Sequence, residues 1–109
     1  MIEASMVDED AIIRITEDRL DAVNAPSLWA DVESRVSGSP RRLFLDLSSV
    51  ELIDTSGLGI LEKLRRKMSQ NAPLVLTGVQ PKVQRLLDIL GSLDAFRTYP
   101  SSSEAAVAN

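Results

Sequence analysis

Residues 43–59 read Leu43-Phe44-Leu45-Asp46-Leu47-Ser48-Ser49-Val50-Glu51-Leu52-Ile53-Asp54-Thr55-Ser56-Gly57-Leu58-Gly59. The apolar run at 43–47 lacks clean alternation, which is the pattern of a strand covered on both faces. It passes through a polar turn to Asp54-Thr55-Ser56-Gly57, after which the spacing predicts an amphipathic helix over 57–68. Leu58, Leu61, Leu64 and Met68 form its inner stripe, Lys63, Arg66 and Lys67 its outer positions, and Glu62 is placed to pair with Arg66 one turn on. Two hydroxyls therefore stand at a helix N-terminus. Unsatisfied backbone N–H groups and the positive end of the helix dipole meet there, so a phosphate on Thr55 or Ser56 would cost the fold little. Asp, Ser and Thr are equally the preferred N-cap residues, and on these residues alone both capping and covalent modification remain open.

Working outward, residues 74–79 repeat the buried-strand pattern, and strand, helix and strand make a right-handed parallel unit. On the N-terminal side, the β-branched stretch at 11–16 suits a strand, paired with residues 2–7 across the Asp8-Glu9-Asp10 turn. Pro26 then opens a helix in which Leu28, Trp29, Val32 and Val36 fall at helical spacing, ended by Gly38-Ser39-Pro40; Trp29 reads as a core residue. Pro81 opens another helix, whose Val83, Leu86, Leu87 and Leu90 share a face, stopped by Gly91. Residues 96–99 read as a short last strand, and Ser101 with Glu104 has capping-box spacing ahead of a short C-terminal helix. In such a mixed α/β domain, polar groups collect outside the carboxyl ends of the parallel strands, here the loops 17–25, 48–57 and 78–82. Asp18 and Asp21 would bring carboxylates near Thr55 if those loops are neighbours.

The composition excludes most catalytic chemistry. With 109 residues and 44% hydrophobic content the sequence is read as one domain, 1–109. The chain has no cysteine and no histidine. It thus lacks a thiol nucleophile, a disulfide framework, the commonest metal ligand and the usual general base at neutral pH. Gly57-Leu58-Gly59 does not extend to GxGxxG, since Glu62 stands at the third glycine, and no Gly-Lys-Ser or Gly-Lys-Thr occurs. Ser56 lacks both the G-x-S-x-G elbow and a base. Asp46 and Asp54 are assigned structural rather than metal-binding roles. No catalytic residue, metal or cofactor is expected. A net charge of −4 argues against nucleic acid as the main partner. No window has the length of a membrane span and no signal peptide is visible, so a cytoplasmic location is expected. Charges are segregated all the same, with an acidic region at 3–21 and a basic one at 62–85, an asymmetry able to orient a protein partner.

The segment Leu45-Asp46-Leu47-Ser48-Ser49-Val50, then three residues, then Asp54-Thr55-Ser56-Gly57-Leu58-Gly59, resembles the D-L-S-x-V-x-x-I-D-S-S-G-L-G signature of the STAS domain family, and within it the bacterial anti-sigma factor antagonists. The resemblance runs over about 2–107, with weaker matches at Leu20-Asp21, Ala25 and Val79-x-Pro81-x-Val83. It implies the STAS fold, a mixed central sheet of four to five strands with helices mainly on one side. It further implies a non-enzymatic partner switch. The unphosphorylated form would bind an anti-sigma factor kinase of the GHKL type and release a sigma factor. Phosphorylation at Thr55, with Ser56 as second choice, would end that binding, and a PP2C-type phosphatase would reset it. Asp21, Asp54, Thr55, Ser56, Gly57, Leu58 and Ile60 are the implied partner-binding residues. Thr55 stands where the family commonly has Ser, and Asp18 where it often has Gly. A transporter-associated branch of the family implies the alternative, a regulatory subunit of an ABC-type or lipid-transport complex.

Overall fold

The β-branched residues Ile12, Ile13 and Ile15 build the strand on which the molecule is organised. In the computed structural model, which describes residues 1–36, 40–68, 74–90 and 96–100, strand β2 (Asp10–Ile15) lies between β1 (Ile2–Val7), antiparallel to it, and β4 (Arg42–Asp46), parallel to it. The β1–β2 hairpin turns at Asp8 and Glu9, and Asp8 takes φ 56°, a left-handed conformation that aspartate accepts more readily than most residues. Strands β6 (Leu74–Thr77) and β7 (Arg97–Tyr99) continue the sheet in parallel, giving the order β1-β2-β4-β6-β7. The mixed five-stranded sheet is the one expected. Strand β6 ends two residues before Val79, because Gly78 adopts φ +66° and turns the chain.

Two further strands of two residues each, β3 (Arg19–Leu20) and β5 (Leu52–Ile53), pair in parallel as a separate ribbon. Neither was foreseen, since two residues show no periodicity. Three helices follow from the prolines and the N-cap: α1 (Ala25–Arg35), α2 (Thr55–Lys67) and α3 (Pro81–Leu90). Helix α2 starts at Thr55, two residues before the predicted 57 and directly after its cap Asp54. Gly38 and Ser39 of the stop after α1, the stop at Gly91 and the capping box at Ser101 and Glu104 lie outside the described residues.

One sheet face carries the main core, in which Ile13, Ile15, Leu43, Leu45, Leu74 and Leu76 meet Leu28 and Val32 of α1, Leu61 and Leu64 of α2, and Val83 and Leu87 of α3. The opposite face holds a small cluster, Phe44 and Val75 with Ile12 and Tyr99 against them. Ile12, Phe44 and Val75 lie side by side in register, and the Arg42 guanidinium sits 5.0 Å from the Phe44 ring centroid. At the amino end of β4, the buried Asp10 carboxylate accepts from Arg42 Nη2 at 2.8 Å and faces Arg41 Nε at 3.4 Å. The predicted Glu62–Arg66 pair is replaced by Arg65 Nη2 to Glu62 Oε2 at 2.9 Å, one residue nearer along the same face.

Candidate functional site

Strands β2, β4 and β6 run parallel, so the loops at their carboxyl ends emerge together. Asp54 is the residue that joins two of them. Its Oδ1 accepts from Ser56 N at 2.8 Å and Gly57 N at 3.0 Å, capping α2, while Oδ2 accepts from Ala22 N at 3.3 Å in the loop after β3. Its own N–H donates to Leu20 O at 3.1 Å. The third loop is bound in by Gln80 Nε2, which donates to Ser48 O at 2.8 Å. Gly78 is required there twice over, by its positive φ and because a Cβ would stand 3.0 Å from Ser48 Cβ. The loops 17–25, 48–57 and 78–82 are thus neighbours.

Thr55 is the first residue of α2 and is exposed; Ser56 is half-exposed. Neither hydroxyl makes a hydrogen bond within the described residues. The first turn of α2 carries no acidic residue and its last turn carries Arg65, Arg66 and Lys67, so the helix dipole favours negative charge at this end, where the Asp54 carboxylate already caps two N–H groups. Gly57 is buried against the ribbon: a Cβ there would lie 2.4 Å from Leu20 O and 2.8 Å from Ile53 Cγ1. Leu58 is half-buried against the core.

Asp21 is on the neighbouring loop, but its Oδ1 accepts from Val23 N at 3.0 Å and Asn24 N at 3.2 Å, and Oδ2 lies 3.7 Å from Arg19 Nη1. Asn24 completes the turn, accepting from Asp21 N at 3.0 Å and donating to Arg19 O at 2.7 Å. The Asp21 carboxylate therefore shapes the loop entering α1. Asp18 contributes its carbonyl, which accepts from Glu51 N at 2.7 Å. Ile60 departs from expectation: it is 3% exposed and belongs to the core. With Gly57, Leu61 and Leu64 it forms the inward stripe of α2, so only a sliver of its side chain reaches the surface.

Trp29 also differs from its expected core role. It is half-buried and packs on the core from one side. Its other side walls a hollow of about 380 Å³ between α1 and α2, with Pro26 beside it and Ser56, Gly59 and Lys63 opposite. Lys63 Nζ lies 5.4 Å from the Trp29 ring centroid. The signal for this was available: Ala25, Leu28 and Val32 fill the buried stripe of α1, and residue 29 stands at its margin. Nearby, Val23 is 89% exposed at the tip of the loop that Asp54 holds. Among the described residues no group of acidic side chains is arranged to hold a metal ion, and no helix is long and apolar enough to cross a membrane.

The family described as STAS domain matches residues 1–105. BtrV of Bordetella bronchiseptica, named provisionally as an anti-sigma factor antagonist, is 30% identical over 90 residues, which make up 82% of this chain and 78% of that protein. The crystal structure of an anti-sigma factor antagonist from Mycobacterium paratuberculosis aligns with a TM-score of 0.87 at 26% identity, over 99% of this chain and 92% of that one. The murine solute carrier 26 family member A9 anion transporter shares the fold, with a TM-score of 0.81 at 20% identity; the match takes in 96% of this chain and 19% of the transporter.

Proposed function

Since this chain belongs to the STAS domain family, we propose that it is an anti-sigma factor antagonist whose binding is switched by phosphorylation of Thr55. The observation that carries the reading is an exposed hydroxyl, with no hydrogen bond among the described residues, on the first residue of a helix whose cap is already supplied by Asp54. Capping is the ordinary use of a hydroxyl at this place, and here a carboxylate has taken it, leaving Thr55 available. The similarity to BtrV and to the M. paratuberculosis antagonist supports the class of partner.

Unmodified, Thr55, Ser56 and Leu58 with the Asp54-held loop present a compact surface to an anti-sigma factor kinase of the GHKL type, which on binding releases its sigma factor. A phosphate on Thr55 adds roughly −1.5 to −2 charges and three acceptor oxygens. The helix N-terminus accommodates that charge, so the penalty falls on the complex through bulk, desolvation and repulsion. A loss of about 3 kcal/mol weakens binding more than a hundredfold, enough for an on/off switch that a PP2C-type phosphatase resets. The chain itself performs no chemistry in this scheme.

The test is incubation with the cognate kinase and ATP followed by fragment-mass analysis, with Thr55→Ala and Ser56→Ala in parallel. One phosphate, absent only from Thr55→Ala, is the expected result. Phosphate absent only from Ser56→Ala would move the site by one residue. A chain that takes no phosphate and copurifies with an ATPase or permease would instead be the regulatory subunit of a transport complex, the reading favoured by the fold shared with the anion transporter.

A further inference from the structure

We propose that the hollow between α1 and α2 seats one apolar side chain of the anti-sigma factor, and that a carboxylate beside that side chain meets Lys63. The inference rests on the function proposed above and says how the partner is held. On α2 the wall of the hollow is a single stripe, Ser56, Gly59, Ile60 and Lys63, at i, i+3, i+4 and i+7. Gly59 lies in that stripe. A Cβ built on it would meet nothing within 4 Å, and its φ is not left-handed. Glycine inside a helix weakens it relative to alanine. At Gly57 the close approach of Leu20 explains the glycine; at Gly59 no contact among the described residues does. What the missing side chain at 59 preserves is the open volume above it.

Trp29 makes the facing wall, an amphipathic ring of the kind that anchors interfaces. The charge on the rim selects the occupant. Lys63 stacks on Trp29 and has no carboxylate partner among the described residues, and none of the side chains lining the hollow is acidic. A partner segment carrying Leu, Met or Phe next to Asp or Glu satisfies both the apolar walls and the ammonium. The hollow begins at Ser56, adjoining Thr55, so the two contacts form one continuous surface. The hollow then sets which anti-sigma factor is bound, while Thr55 sets whether it is bound.

The experiment titrates the full chain with each anti-sigma factor kinase encoded in its native genome, purified singly, using wild type, Gly59→Leu, Gly59→Ala, Lys63→Glu and Thr55→Asp, with thermal melting of each variant. Expected are a Gly59→Leu protein that melts at or above wild type yet binds at least tenfold weaker, a smaller loss for Gly59→Ala, and at least a fivefold loss for Lys63→Glu that an Asp→Lys or Glu→Lys change in the partner reverses. The emission of Trp29, the sole tryptophan, should shift on complex formation. If Thr55→Asp loses binding while the Gly59 and Lys63 variants bind as wild type, the hollow is not a contact and the proposed function stands. If no kinase binds wild type, the proposed function falls and the assignment of the hollow to this partner falls with it.

Discussion

At the scale of single residues, the site turns on Asp54, which gives one carboxylate oxygen to the α2 cap and the other to the loop carrying Ala22. Asp54→Ala should therefore lower stability by about 1–2 kcal/mol, read by chemical denaturation, the range for losing an N-cap side chain. It should also loosen the 17–25 loop, seen as faster amide exchange at Ala22. Asp10 makes a pH-dependent contribution to stability. The hydrogen bond from the Arg42 guanidinium holds the Asp10 carboxyl below its ordinary value of 3.8; burial opposes this, and Arg41 adds to the lowering. Because the folded value is the lower one, ionised Asp10 stabilises the protein at pH above the ordinary value. That contribution fades as pH falls through it toward the folded value. Asp10→Asn should cost about 1–3 kcal/mol at neutral pH, the range for a hydrogen bond to a charged group, and the difference from wild type should shrink steadily in melts taken below about pH 4. Asp54 as a cap was legible in Asp54-Thr55-Ser56-Gly57, because caps obey local rules. The deep burial of Ile60 and the half-exposure of Trp29 were not legible, because periodicity locates a helical stripe but not its margin; which side of the margin is covered depends on the neighbouring helix.

At the scale of elements, α2 contains two glycines with opposite roles. Gly57→Ala would drive a methyl group into Leu20 O and the Leu20 and Ile53 side chains, and should destabilise by about 1–3 kcal/mol. Gly59→Ala meets open space and should be neutral or stabilising by about 0.5–1 kcal/mol. Parallel thermal melts of the two variants check the pair, and melts that move together would contradict the close β3–α2 packing. The strands of the main sheet and the three helices among the described residues were readable, since each is long enough for its apolar period or its opening proline to show. The β3–β5 ribbon was not. Its two-residue strands are made by the backbone of Leu20 and Ile53 meeting across 33 positions of sequence, and their apolar side chains carry no local signature. That ribbon is nonetheless what presses the acidic loop against the helix N-terminus, which explains why the approach of the loop carrying Asp18 and Asp21 to Thr55 could only be conditional before the fold was known.

At the scale of the whole molecule, the proposed site lies at the end of the sheet where β2, β4 and β6 all terminate, while the Asp10, Arg41 and Arg42 cluster closes the other end of β2 and β4. The division lets the surface change charge while the core stays fixed. Phosphorylated and unmodified chains should accordingly give superimposable far-ultraviolet circular dichroism and melt within a few degrees of each other; a large fall in melting temperature would mean that the modification acts by unfolding the domain. The central claim is that phosphate on Thr55 breaks an interface and leaves the fold intact. Its most direct test is calorimetric titration of the anti-sigma factor kinase with unmodified chain and with chain phosphorylated stoichiometrically at Thr55. The account predicts affinity for the unmodified form at least a hundredfold the higher, and equal affinities for the two forms would contradict it.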